Sequence, residues 1–150
     1  MDSRPILLVE DNPDDVELTV RALQKNKIAN EVVVARDGAE ALRLLFGDRD
    51  SNDGKVALNP SIVLLDLKLP NVDGFEVLTQ MRANEATKLI PVVILTSSKQ
   101  DLDLLRAYTL GANSYVRKPV DYMQFLATVQ LLGTYWLSMN EPVSIKGRSE

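Results

Sequence analysis

The chain of 150 residues contains no cysteine and no histidine. The first absence excludes disulfides, thiolate metal sites and thiol nucleophiles. The second excludes imidazole acid–base chemistry, Ser–His–Asp triads and His-ligated zinc or iron. A metal site is then restricted to oxygen ligands, and so to hard cations such as Mg²⁺, Ca²⁺ or Mn²⁺. Long apolar runs are missing too. None approaches the roughly 18–20 residues that span a bilayer, and the start Met1-Asp2-Ser3-Arg4-Pro5 has no signal-peptide character. No membrane association is expected, and the cytoplasm is the expected compartment. Basic charge is in deficit: the formal net charge is −4, which argues against nucleic-acid binding.

What is present reads as globular, with 45% hydrophobic and 25% charged residues. One domain is expected over residues 1–138, followed by a polar tail, 139–150, containing Pro142 and Gly147. Ile6–Val9, Ile62–Leu65 and Val92–Leu95 are short apolar runs of the kind found in strands buried on both faces. Glu31–Ala35 and Ser114–Arg117 are weaker strand candidates. Asn12-Pro13-Asp14-Asp15 predicts a helix start, with Asn as cap, Pro in the first turn and acids at the positive end of the dipole. Further helices are predicted over Gly38–Phe46, Phe75–Ala83, Gln100–Leu110 and Asp121–Ser138, with a polar loop over Gly47–Asn59. Strict alternation of strand and helix predicts an α/β fold, an open parallel sheet of five strands covered by helices on both faces.

The polar residues at the strand ends carry the chemistry. Glu10, Asp11, Asp66, Thr96 and Lys118 each follow the apolar part of a strand. In an open parallel sheet those carboxyl ends share one edge, where ligands bind. Any one of these residues alone is an ordinary cap, turn or surface group. Together they deliver carboxylates, a hydroxyl and an ammonium to one place. Clustered carboxylates repel one another, which raises their pKa values, and a hard dication relieves the repulsion. A lysine opposite supplies a point charge for a phosphate oxygen. The set suits a phosphoryl group held beside a metal, with a carboxylate as covalent acceptor.

Leu7-Leu8-Val9-Glu10-Asp11-Asn12, Leu64-Leu65-Asp66-Leu67-Lys68-Leu69-Pro70 with Asp73-Gly74, Leu95-Thr96-Ser97, and Tyr115-Val116-Arg117-Lys118-Pro119 together resemble the signature of CheY-like receiver domains of two-component systems. The resemblance spans about residues 4–138. It brings with it the flavodoxin/CheY-like strand order 2-1-3-4-5, which the residues alone do not dictate. It implies that Asp66 is the phosphoacceptor and that Asp11, Asp66 and the backbone carbonyl of Lys68 ligate Mg²⁺, with Glu10 acting through water. Lys118 would pair with the phosphoryl group and Thr96 would hydrogen-bond it. Thr96, Tyr115 and Pro119 would form the switch, Tyr115 turning inward as Thr96 moves and Pro119 following a cis peptide bond.

The implied function is a single-domain response regulator. It would be phosphorylated by a sensor histidine kinase and would signal by binding a downstream protein when phosphorylated. The loop Gly47–Asn59, Asp66-Leu67-Lys68-Leu69-Pro70 and Gly133-Thr134-Tyr135-Trp136-Leu137 resemble the small regulators that partner bacterial phytochromes, which would make a bacteriophytochrome the kinase. Such a protein is a phosphoacceptor rather than an enzyme, with autophosphatase activity at most. Helical periodicity sets Leu102 and Leu105 inward in the fourth helix, leaving Leu104 and Tyr108 outward. In the last helix Tyr122, Phe125, Leu126, Val129, Leu132 and Trp136 share the inward face, with Leu131 and Tyr135 opposite. Leu104, Tyr108, Leu131 and Tyr135 could join Tyr115 in one patch, and the resemblance to receiver domains, which often dimerise there, makes it the expected homodimer surface.

The rival reading is a non-switching module that uses the receiver fold only for docking or dimerisation; the full acidic pocket and Lys118 speak against it. An EF-hand over Asp48-Arg49-Asp50-Ser51-Asn52-Asp53-Gly54 fails on register, because Asp53 stands where Gly is required and Asn59 where Glu is required. A haloacid-dehalogenase-type phosphatase would want an acid where Lys68 stands. A flavin phosphate loop is excluded by the acids of Asn12-Pro13-Asp14-Asp15.

Overall fold

The computed structural model describes residues 4–47, 57–119 and 121–143. The EF-hand-like stretch 48–54, most of the loop 47–59 and the end of the tail lie outside the described residues. Strands β1 (Ile6–Val9), β2 (Val32–Ala35), β3 (Ile62–Leu65), β4 (Val92–Thr96) and β5 (Ser114–Arg117) alternate with helices. These are α1 (Pro13–Lys25), α2 (Gly38–Phe46), α3 (Gly74–Ala83), α4 (Asp101–Thr109) and α5 (Tyr122–Thr134). The five strands form one parallel sheet in the order 2-1-3-4-5.

Pleating splits the core in two. Leu7, Val9, Val63, Leu65, Val92 and Ile94 pack against α2, α3 and α4. Ile6, Leu8, Ile62, Leu64, Val93 and Leu95 pack against α1 and α5. The apolar runs are continuous because each strand buries both sides. Helix starts follow their caps: Asn12, Asp37, Asp73 and Asp121 each accept hydrogen bonds from first-turn amides. Helix α5 passes into a π-helical segment, Tyr135–Met139, so the long last helix is continuous but changes its winding. Among the described residues no helix is long and apolar enough to cross a membrane.

Four expectations are corrected. In α4 the inward residues are Ala107, which is buried, and Asp103 and Leu104, which are half-buried, whereas Leu102 and Leu105 are 77% and 64% exposed. Leu104 therefore leaves the expected dimer surface. The apolar stripe misleads because a small alanine and a hydrogen-bonded acid face the sheet, and periodicity in large apolar residues cannot register either. Tyr122 is 45% exposed rather than core, since it stands at the first position of α5, ahead of the packed turns. The Lys118–Pro119 peptide is trans, no cis bond occurring among the described residues; trans is the lower-energy isomer even before proline. Tyr115 already packs against the core, with its hydroxyl buried and without a hydrogen-bond partner among the described residues.

Candidate functional site

The ladder runs past the strand ends and so places the polar residues. The amide of Glu10 donates to Ala35, that of Asp66 to Val9 and that of Lys118 to Thr96, at 2.9, 3.1 and 2.7 Å. Extended pairing preserves side-chain parity. Glu10, Asp66 and Lys118 continue the rows of Leu8, Leu64 and Val116, which face α1 and α5. Thr96 continues the row of Ile94, which faces α4.

Three carboxylates then converge. One oxygen each from Glu10, Asp11 and Asp66 lies within 4.8 Å of the other two. Glu10 and Asp66 are buried and Asp11 is exposed, so the cluster opens to solvent on the Asp11 side. Asp66 is held by the amide of Leu67, which donates to its Oδ1 at 2.7 Å. The backbone behind it is crowded: a Cβ on Gly74 would lie 2.2 Å from the Asp66 carbonyl oxygen. Glycine is thus the residue that lets α3 begin so close to the acceptor.

The buried Lys118 side chain closes the cluster. Its Nζ donates to Asp66 Oδ2 at 3.1 Å, to Asp15 Oδ2 at 2.9 Å and to Glu10 Oε1. Burial alone would depress this ammonium, but the hydrogen bonds to Glu10 and Asp15 and the charge of Asp66 outweigh it and hold the pKa above its ordinary value. Burial also pushes the Glu10 carboxyl up, to about 7, with the Lys118 hydrogen bond opposing the shift and the Asp66 charge reinforcing it. Glu10 shifts upward because of its burial, and Lys118 because three carboxylates surround its ammonium. Lys118 stays charged, and the most buried acid is left closest to protonation. The expected crowding of charges contributes, but desolvation is the larger cause.

Thr96 is fully buried, and its Oγ1 accepts from the amide of Ser98 at 3.3 Å. From Ser98 a polar chain leads away: its hydroxyl donates to Asp103 Oδ2 at 2.6 Å, and Lys68 Nζ lies 3.4 Å from the same oxygen. The Ser98 hydrogen bond, aided by Lys68, holds Asp103 below the usual carboxylate range. Sequence reasoning missed both Asp15 and Asp103. Asp15 was legible as a first-turn acid, and nothing in its spacing pointed across to Lys118, 103 residues away. Asp103 lies four residues before Ala107, a helical repeat hidden by the leucines around it.

The donor set fits a hard divalent cation. Anionic oxygens from adjacent strand ends face one another, and the Lys118 ammonium already compensates part of their charge.

Comparison with known proteins agrees with this chemistry. Residues 6–130 match the family model described as the response regulator receiver domain. The chain is 44% identical over 135 residues to the probable methanogenesis regulatory protein FilR2 of Methanothrix harundinacea, covering 90% of this chain and 84% of that protein. It is 36% identical to response regulator Rcp1 of Synechocystis sp., covering 88% of each. The Mn²⁺-bound form of Rcp1 superposes with a TM-score of 0.85 at 33% identity, over 94% of this chain and 99% of that one. The bacteriophytochrome response regulator AtBRR is 52% identical and superposes with a TM-score of 0.70, over 94% of this chain and 100% of that one.

Proposed function

Because the chain belongs to the response regulator receiver family, we propose that it accepts a phosphoryl group on Asp66 and signals through the resulting change at Thr96 and Tyr115. The observation that carries this reading is the Lys118 ammonium, 3.1 Å from Asp66 Oδ2 beside the Glu10–Asp11–Asp66 cluster. An Asp66 oxygen forms the new P–O bond as the P–N bond of a phosphohistidine on the donor kinase breaks, and the imidazole leaves with the electron pair. Lys118 takes charge developing on the phosphoryl oxygens, and Thr96 turns its hydroxyl towards them. Asp11, Asp66 and the Lys68 carbonyl, with Glu10 through water, are the groups to hold Mg²⁺, which when bound supplies charge neutralisation. The chain itself contributes positioning and no catalytic turnover, as a phosphoacceptor rather than an enzyme.

The receiver unit is residues 1–138, followed by a separate polar tail, 139–150, and the place of action is the cytoplasm. Similarity to the bacteriophytochrome response regulator AtBRR favours a bacteriophytochrome as the histidine kinase. A homodimer forms through Tyr108, Leu131 and Tyr135, all exposed. Leu102 and Leu105 take the place of Leu104 in that surface.

Incubation with acetyl phosphate and Mg²⁺ followed by intact mass measurement tests the central reading. Wild type gains one phosphoryl mass, and Asp66→Asn gains none. An undiminished adduct on the variant sinks the assignment. For the dimer, solution mass is measured with and without beryllofluoride. A dimer that survives Leu131→Glu with Tyr135→Glu places the interface elsewhere.

A further inference from the structure

We infer that Asp15 is a positioning residue for phosphoryl transfer: it fixes the Lys118 ammonium beside Asp66 independently of the metal-binding carboxylates. This rests on the reading of Asp66 as phosphoacceptor. An ammonium has three donors, and here each is taken by a different carboxylate: Glu10, Asp15 and Asp66. Two of those acceptors belong to the carboxylate cluster that fits a cation, and Asp15 does not. Once Glu10 and Asp66 are shared with a metal and a phosphoryl group, Asp15 is the acceptor among the three whose charge remains committed to Lys118. The donor now aimed at Asp66 Oδ2 is the one placed to pass to a phosphoryl oxygen on that same carboxylate.

Asp15 is built for a fixed role. It stands in the first turn of α1, behind the Pro13 ring, whose φ is locked. Its amide donates to Asn12 Oδ1 at 3.2 Å and its carbonyl accepts from the Thr19 hydroxyl at 2.7 Å. Helix capping is already served by Asn12, so the Asp15 carboxylate is not needed there and crosses to β5 instead. The side chain is one-quarter exposed, which keeps the pair partly shielded from solvent. A lysine on a four-carbon stem otherwise spreads over many rotamers, and fixing it ahead of reaction is what positioning contributes.

The test is a thermodynamic and kinetic cycle on the full chain. In metal-free protein, the Lys118 ammonium protons are followed by NMR; Asp15→Ala speeds their exchange with water, and Asp15→Glu restores part of the protection. Phosphorylation by acetyl phosphate slows about tenfold in Asp15→Ala, the equivalent of about 1.4 kcal/mol, while Mg²⁺ affinity changes by less than about threefold. In a Lys118→Met background the Asp15 substitution has no further effect on the rate, because it acts only through the lysine. An equal slowing in that background overturns the inference, as does an unchanged or faster rate in Asp15→Ala. A wild-type protein that Asp66→Asn shows to be labelled elsewhere overturns the parent reading and this one together. Normal labelling of wild type with no Asp15 effect overturns this one alone.

Discussion

The two helices that flank β5 are held to the sheet by different physics. Helix α5 buries Phe125, Leu126 and Val129, and its Gly133 lets it approach α1 so closely that a Cβ there would meet Leu23 at 3.0 Å. Helix α4 buries only Ala107 completely. Much of its other attachment is polar or cationic: Asp103 to Ser98 and Lys68, Arg106 over the Phe75 ring at 4.1 Å, and Arg117 to Asp101 at 3.4 Å. Burying a large apolar side chain contributes about 1.5–3 kcal/mol, whereas an exposed ion pair contributes about 0–1 kcal/mol. A helix attached mainly by the second kind of contact can shift at small cost, and α4 is the one that meets the pocket through Asp103. Apolar packing and polar attachment thus fall to different helices on either side of one strand.

The sharpest test of that division is in the core. Phe125→Ala should destabilise by about 3–5 kcal/mol, as truncation of a buried aromatic does. Leu105→Ala, on the exposed side of α4, should change stability by no more than about 0.5 kcal/mol. Urea melts of the two variants decide it, and a comparable loss in Leu105→Ala would mean that α4 is packed as firmly as α5.

The pocket gives the next largest effect, through charge rather than packing. Glu10 has its folded pKa raised from 4.5 to about 7, so the native state holds a proton that the unfolded chain releases near its ordinary value. Its contribution is fully present below about pH 4.5 and is lost as pH rises through about 7. Metal-free protein should lose on the order of 1–3 kcal/mol across that window, and Glu10→Gln should flatten the slope. Above pH 7, Mg²⁺ at a hundredfold excess over its dissociation constant should restore about 2.7 kcal/mol. Asp11→Asn should gain much less. Thermal melts in chelator and in Mg²⁺ read both effects, and equal Mg²⁺ shifts in wild type and Asp11→Asn would remove Asp11 from the ligand set.

The parts that were legible beforehand differ in kind from those that were not. Strand ends were readable because a buried parallel strand is a continuous apolar run and its polar terminus has one destination. Glu10, Asp66, Thr96 and Lys118 were found that way. Asp15 and Asp103 escaped because each lies on a helix, where an acid in the first turn already has a sufficient local explanation in the dipole. The orientation of α4 escaped for a related reason: its inward face includes Ala107 and a charged residue, while Leu102 and Leu105 point to solvent. The cues fail where a helix is held by polar contacts.

Tyr115 offers a smaller effect on β5, between the two helices. Its hydroxyl is buried without a partner, an arrangement that costs about 1–3 kcal/mol relative to a satisfied group. Tyr115→Phe should leave the resting protein at least as stable, or more stable by about 1 kcal/mol. It should also weaken any response that requires the hydroxyl to reach an acceptor outside the core. A clear loss of stability would show that the hydroxyl has an acceptor in solution, and the strand would then be neutral between the helices rather than poised.

The smallest global effect, and the most local, is expected at Asp103. The Ser98 hydroxyl and the Lys68 ammonium hold its carboxylate ionised below the usual range. A depressed carboxylate stabilises the fold above its ordinary pKa and loses that contribution as pH falls through the lower folded value, so the tether is intact at neutral pH and weakens only in acid. Asp103→Asn at pH 7 should therefore mimic acid release without acid. The melting temperature should barely move, because the Lys68 end of the pair is exposed and screened. Amide hydrogen exchange should nevertheless quicken along Asp101–Thr109 and stay unchanged along Phe125–Val129, since local opening follows local attachment rather than global stability. Exchange that rises equally in both helices would mean that α4 and α5 open as one unit, and the contrast drawn from their packing would not extend to their motion. Exchange that rises in neither would mean that Ala107 and the Arg106–Phe75 contact suffice to hold α4, leaving the chain from Thr96 through Ser98 to Asp103 without mechanical consequence.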